Sequence, residues 1–241
     1  MNLVLAADPA AAAAACAEIL AGRLAAALAA RGEAHIALNG GSTPRPVYEQ
    51  LPALLPDWSG VHLWFGDERC VPPDDAESNY RLAAETLVPG ATIAPDRVHR
   101  MRGELGPEEG ARAYAAELAE HLELDDAGMP VLDVVHLGLG QDGHTASLFP
   151  QHEALRITGW ATVAITDSPK PPPERISLSL GCLNAARARV LHTVGEGKRE
   201  ALARALGEPD AATPASLLGR ECFDVVLDEA GNPRFGDVAT G

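Results

Sequence analysis

The sequence predicts one α/β domain over residues 1–241, with a mostly parallel sheet flanked by helices. Three observations point there. Short apolar runs alternate with helical patterns from one end of the chain to the other. No linker-like stretch divides the sequence, and no internal repeat is visible. Hydrophobic residues make up 46% of the chain, enough for a sizeable core, and with aromatics at only 4% that core must be built from Leu, Val, Ile and Ala.

The elements follow in order. Residues 9–31 read as a long helix, because alanine favours it and Ile19, Leu20, Leu24 and Leu28 form an apolar stripe; Gly32 ends it. Residues 35–38 form a strand that runs into Asn39-Gly40-Gly41-Ser42-Thr43-Pro44. There Ser42 or Thr43 can cap a helix with Pro44 in its first turn and Val47, Tyr48, Leu51 and Leu54 on its inner face. Residues 61–65 are a strand ending at Gly66-Asp67-Glu68-Arg69, and an acidic, proline-containing loop (72–78) leads to a helix near 80–87. An amphipathic helix covers 107–124, and strands cover 133–137 and 160–165. The prolines 171–173 stiffen a loop before the strand at 175–180. A strand at 190–194, a helix at 198–206 and a strand at 223–227 complete the pattern.

Charge and cysteine usage narrow the function classes. A net charge of −15 sets the whole-molecule field against nucleic acid and anionic membranes. A phosphorylated small molecule remains open, provided local cations and backbone donors hold it. Cys16, Cys70, Cys182 and Cys222 are scattered and form no C-x-x-C pair, so neither a zinc ribbon, a redox motif nor a disulfide framework is expected. The N-terminus lacks the positive segment of a signal peptide, and Glu18, Arg23 and Arg31 interrupt the alanine-rich run that follows. The expectation is a soluble cytoplasmic protein.

Several segments can bear chemistry. The apolar strand at 134–137 breaks into a glycine turn that delivers Asp142 and His144 together. His144 can serve as a general base near neutral pH with Asp142 orienting it, or the pair can be a capping acid and a structural histidine. Gly138-x-Gly140-x-x-Gly143 imitates a dinucleotide fingerprint, but it lies mid-chain and Asp142-Gly143-His144 fills the place where a phosphate-binding helix should start. The turn at 39–44 is either a ligand-binding helix entrance or a plain βα turn. Asp67, Glu68 and Arg69 read as a surface ion-pair group or, with slightly less weight, as a clamp on an anionic or carbonyl oxygen. Lys170, Arg175 and Lys198 are scarce cations near element ends, and a bound phosphate would reconcile Lys198 with a helix start.

Together the segments 39–44, 64–72 with Ser78-Asn79-Tyr80, 138–150, 168–176 and Gly195-x-x-Lys198 resemble the 6-phosphogluconolactonase family, in the right order over almost the whole chain. The resemblance implies a Rossmann-like sheet without a nucleotide, as in glucosamine-6-phosphate deaminases and ribose-5-phosphate isomerases. It also implies hydrolysis of 6-phosphoglucono-1,5-lactone to 6-phosphogluconate in the oxidative pentose phosphate pathway, by a carboxylic ester hydrolase acting as a monomer or weak homo-oligomer. On this resemblance His144 is the base, Asp142 supports the imidazolium that forms, and Arg69 helps stabilise the oxyanion with backbone N–H groups. Gly40, Gly41, Ser42, Thr43, Asp67, Gly143, Lys170, Arg175 and Lys198 are expected at the substrate, the phosphate resting on Ser42 and Thr43 with Arg175 and Lys198. No cofactor and no metal is expected. Deaminase relatives have an acid where this chain has Phe149, which favours the lactonase over an amino-sugar-phosphate deaminase or isomerase. A non-catalytic sugar-phosphate sensor is the remaining alternative.

Overall fold

Among the described residues, nine strands fall into two sheets rather than the one sheet expected. The computed structural model describes residues 1–233; residues 234–241 of the expected domain lie outside the described residues. The strands are β1 (Asn2–Ala6), β2 (Ala34–Leu38), β3 (Val61–Phe65), β4 (Asp67–Arg69), β5 (Val134–Leu137), β6 (Thr162–Ile165), β7 (Arg175–Leu178), β8 (Arg189–Thr193) and β9 (Phe223–Asp228). The helices are α1 (Pro9–Arg31), α2 (Arg45–Leu54), α3 (Asn79–Thr86), α4 (Val88–Ala91), α5 (Pro107–His121), α6 (Leu180–Ala185) and α7 (Arg199–Ala205).

The large sheet runs β1-β9-β8-β5-β2-β3, and every neighbouring pair is parallel. Strands β3, β5, β8 and β9 are buried along their whole length, which is why such strands read as apolar runs instead of alternating ones. Because the strands are parallel, the carboxyl ends of β2, β5 and β8 open side by side. The turns after them at 39–44, 138–144 and 194–198 therefore converge, where open α/β sheets bind ligands. The small sheet runs β4-β7-β6 and is antiparallel. The chain changes sheets at Gly66, whose N–H donates to Leu38 O of the large sheet (2.8 Å) while its carbonyl accepts from Leu178 N of the small one (2.8 Å).

Most boundaries shift for identifiable reasons. The edge strand β1 was not expected, and its exposed Leu3 and Leu5 explain why no buried face is legible there. Neither Ser42 nor Thr43 caps α2; Pro44 occupies the cap position without a side-chain bond. Leu54, expected inside, is 42% exposed. Helix α5 stops at His121, because Leu122 is extended. Strand β6 begins at Thr162 and leaves Trp160 outside it, and β7 ends at Leu178 because Ser179 caps α6, accepting from Cys182 N. Lys198 sits in a 3₁₀ turn, and α7 starts one residue later.

Helix α1 is long and apolar enough to cross a membrane by composition, with a mean hydropathy of 1.6. In this fold that apolar face is used by the sheet: Ala12, Ala13, Cys16, Ala17, Leu20 and Leu24 are fully buried. Asp8 caps its start, accepting from Ala11 N, and Gly32 closes it with φ 77°. Two side chains from its outer half reach the sheet, Arg23 to Asp224 (2.7 Å) and Arg31 to Asp133.

Candidate active site

The converging turns enclose a cavity of about 320 Å³. Of the residues expected at a substrate, Gly40, Gly41, Ser42, Thr43, Arg69, His144, Lys170 and Lys198 line it. Gly138, Gly140 and Ala146 of the β5 turn also line it, as do Asn39, Leu139 and Gln141. So do His192 and Thr193, which sequence reasoning missed altogether. Both stand at the carboxyl end of β8, and a polar pair ending an apolar strand next to the chain's central strand was the available signal.

The β5 turn aims the histidine. Gly140 N–H donates to His144 O (2.8 Å) and Gly143 N–H donates to Gly140 O (3.0 Å), so the chain folds back on itself within five residues. Gly143 adopts φ 93°, a backbone state that side chains resist. A Cβ on Gly140 would stand 2.0 Å from His144 Nδ1 and 2.4 Å from Asp142 Oδ1, so only glycine permits the pair to meet. No long helix follows, which removes the phosphate-binding helix that a dinucleotide fingerprint requires.

Asp142 Oδ1 lies 2.5 Å from His144 Nδ1 and accepts a hydrogen bond from its N–H, leaving Nε2 with a lone pair and no hydrogen-bond partner among the described residues. Lys170 Nζ is 3.2 Å from Asp142 Oδ2 and 3.2 Å from the same Nδ1. Nδ1 cannot both donate to the carboxylate and accept from the ammonium, and the shorter contact decides for Asp142. Burial lowers the pKa of the His144 imidazole; Asp142 pulls it back up, while Lys170 pushes it further down. Burial acts to raise the Asp142 carboxyl, but the charge and hydrogen bonds of His144, helped by Lys170, outweigh it and hold the group at about 2. A neutral imidazole beside a carboxylate is the protonation state a general base needs. Phe149, fully buried, packs against the His144 ring with centroids 4.9 Å apart.

The cations divide. Lys198 Nζ donates to Leu139 O (2.7 Å) at the cavity wall, and burial, with Lys170 nearby, lowers its pKa. Arg69 donates to Glu77 O (2.5 Å) and approaches Glu77 Oε2 (3.3 Å), while its buried Nε finds no partner among the described residues. Arg175, expected at the phosphate, is not among the residues that line the cavity. It is only 4% exposed, and its guanidinium donates to the carbonyls of Lys170 (3.0 Å), Pro171 (3.2 Å) and Pro172 (3.1 Å). It also lies over the Phe149 ring, 5.6 Å from the centroid. Arg175 thus holds the loop that presents Lys170.

Asp67 and Glu68 are also placed differently from a surface ion-pair group. Asp67 is buried behind the cavity, accepting from Ser147 Oγ (2.6 Å) and Asn79 Nδ2 (3.1 Å). Glu68 is buried beneath Arg69, and each of its oxygens accepts two bonds: Oε1 from Arg69 N (2.8 Å) and Asn79 N (2.8 Å), Oε2 from Tyr80 N (2.9 Å) and Ser78 Oγ (3.0 Å). These acids build the loop that carries Arg69, and neither is among the residues that line the cavity. Gly143 likewise supports the turn and does not line the cavity.

Metal-ligand spacing is absent from the sequence, yet the fold brings three ligand groups together among the described residues. They are His62, His99 and His121; Glu33, His35 and His62; and Cys16, His136 and His192. Each group needs at least one residue distant along the chain, which spacing cannot reveal.

Residues 7–227 match the family model described as glucosamine-6-phosphate isomerases/6-phosphogluconolactonase. The chain is 41% identical over 214 residues to a 6-phosphogluconolactonase of Streptomyces coelicolor, covering 84% of this chain and 82% of that one. It is 40% identical over 228 residues to a human 6-phosphogluconolactonase, covering 90% and 87%. The structure superposes on that of a 6-phosphogluconolactonase from Trypanosoma brucei with a TM-score of 0.85 at 29% identity, covering 95% of this chain and 96% of that one.

Proposed function

The chain belongs to the family of glucosamine-6-phosphate isomerases and 6-phosphogluconolactonases, and on that premise we propose that His144 is the base with which it hydrolyses 6-phosphoglucono-1,5-lactone. One observation carries the reading: Asp142 fixes the His144 proton on Nδ1, so Nε2 is free in a cavity walled by the 39–44 turn and Lys198.

A δ-lactone is an activated ester, so water suffices as nucleophile. His144 Nε2 takes a proton from water as its oxygen attacks C1, and Asp142 stabilises the imidazolium. Arg69 and N–H groups of the glycine turns meet the oxyanion. The intermediate collapses by breaking the bond from C1 to the ring oxygen, which receives the proton from His144. The product is the open-chain 6-phosphogluconate. The phosphate rests on Ser42, Thr43 and the start of α2, with Lys198 as its cation; Lys170 keeps Asp142 charged. In the deaminase chemistry an acid is needed where this chain places buried Phe149. The same reading has the chain work as one domain in the cytoplasm, as a monomer or weak homo-oligomer. It takes a phosphorylated sugar lactone and neither nucleic acid nor membrane, in keeping with its charge of −15. A coupled assay that oxidises 6-phosphogluconate, corrected for spontaneous opening of fresh lactone, tests the activity; a rate no faster than the spontaneous one would remove it.

Two substitutions test the parts. In Lys198→Ala, KM is expected to rise about 10- to 100-fold with kcat changed far less, the signature of losing a charge-assisted contact of roughly 1.5–3 kcal/mol made equally in ground and transition states. An unchanged KM would move the phosphate elsewhere. The second test is a pH profile. The base works when neutral, so kcat/KM falls as pH drops through the His144 pKa, which burial places below the ordinary histidine value. Lys170→Met removes a cation that pushes this pKa down, and the acid limb should move to higher pH. Asp142→Asn removes the anion that raises it, and the limb should move lower. Shifts of the same sign in both variants would show that the limb belongs to another group.

A further inference from the structure

Beneath the cavity floor, three elements bring a thiol and two imidazoles together where no charge or solvent calls for them. Cys16 of α1 and His136 of β5 are fully buried, and His192 of β8 is 2% exposed. Their ligand atoms all lie within 4.8 Å of one another.

The tautomers are set by what surrounds them. Tyr48 OH donates to Asn39 O (3.0 Å) and accepts from Asn39 N (2.7 Å), so its remaining lone pair accepts from His136 Nδ1–H (2.9 Å). His136 Nε2 therefore presents a lone pair, and it points at Cys16 Sγ, 3.5 Å away. A ring nitrogen fixed by an outer partner, with the other nitrogen offered inward, is how histidine ligands are oriented. His192 supplies the independent observation. Both its ring nitrogens are buried, and neither has a hydrogen-bond partner among the described residues. Leaving a buried donor and a buried acceptor unmet is costly, so such a residue asks for a ligand.

We propose that Cys16, His136 and His192 form a site for one thiophilic d¹⁰ cation of the zinc type, with its fourth position open toward the cavity that His192 lines. The geometry fits the ion. Tetrahedral zinc with bonds of about 2.3 Å to sulfur and 2.0–2.1 Å to nitrogen needs sulfur and nitrogen about 3.6 Å apart, close to the 3.5 Å found between Cys16 Sγ and His136 Nε2. His192 turns in without breaking any hydrogen bond, because its ring makes none. As the cation binds, the Cys16 thiol releases its proton to solvent and its sulfur electrons go to the metal; nothing is oxidised. The mixed thiolate and imidazole set selects zinc over magnesium or calcium. The histidines at the other end of the sheet do not compete on these terms. His62 Nδ1 is closed onto His99 Nε2 (2.9 Å), and their outer nitrogens are held by Arg97 (2.8 Å) and Glu117 (2.7 Å). The site stands apart from the lactone reading, since it is tested by binding and not by turnover.

Cobalt(II) is the probe, titrated into the metal-free full chain and followed by absorbance. Wild type should take up one ion per chain with a thiolate-to-cobalt charge-transfer band, and zinc should displace it. Cys16→Ser should lose the band and weaken zinc by more than the roughly 10- to 100-fold that outer-shell changes cost; His62→Gln should change neither. If Cys16→Ser folds poorly, His192→Leu serves, with weakened binding expected and unchanged binding overturning the site. Absence of any cobalt signal in wild type overturns it, as does a band that survives in Cys16→Ser, which would place the metal on another thiol.

Discussion

His144→Ala should lose about 10²- to 10⁴-fold in kcat while the protein stays folded, the range that positioned general bases supply. The fold is expected to survive because the ring is a wall of a cavity, not a piece of the core: His144 Nε2 has no partner to orphan, and Asp142 keeps Lys170 at 3.2 Å when the imidazole is gone. A residual rate should remain, since the oxyanion donors and the phosphate site are untouched. Spontaneous hydrolysis sets the floor of the measurement and must be subtracted. The pair also predicts strong non-additivity. Asp142 acts through the tautomer and charge of His144, so Asp142→Asn in the His144→Ala background should cost almost nothing further. Near-wild-type turnover in His144→Ala would sink the base assignment; a full extra loss on adding Asp142→Asn would mean that the carboxylate meets the substrate itself.

The parallel layer was legible because strands buried on both faces leave continuous apolar runs, and β3, with all five residues buried, stands where the sequence places it. The second sheet was not, because β4 has three residues and its partner β7 follows a proline loop that masks the pairing. Among site residues, those inside a turn of special chemistry were legible: Gly140, Asp142 and His144 sit within five residues of one another, so their meeting is a local event. The loop role of Arg175 was not legible because a guanidinium that holds a loop and one that binds a ligand look alike in sequence, and the three carbonyls it holds appear only in the fold. Glu68 was misread for the converse reason. Its four donors come from its own neighbour and from a segment ten to twelve residues on, and no spacing rule joins them. His192 and Thr193 needed the strand order, since only the β8-β5-β2 adjacency brings them to the cavity.

Glu68→Ala is expected to be the most destabilising change at this site, by about 3–5 kcal/mol, the cost of leaving two or more buried donors without an acceptor. The carboxylate is not itself a comfortable charge: burial raises its pKa, and the bonds from Asn79, Tyr80, Arg69 and Ser78 only partly pull it back. Its value lies in what it satisfies. Without it, three backbone N–H groups and the Ser78 hydroxyl lose their acceptor in a site from which water is largely excluded, at roughly 1–3 kcal/mol for each one that finds no substitute. The backbone of α3 would then drift from β4, and Arg69 would leave the cavity with it. Thermal unfolding should register a fall of about 10 °C, given 2–4 °C per kcal/mol for a chain of this size. Glu68→Gln keeps one carbonyl acceptor and sheds the buried charge, so its loss should be clearly smaller, although its NH₂ faces donors on the other side. That ordering separates a hydrogen-bond hub from an electrostatic partner of Arg69. If both variants lost the same stability, the charge would be what matters; if Glu68→Ala stayed within about 1 kcal/mol of wild type, in the range of surface ion pairs, the buried hub would not exist.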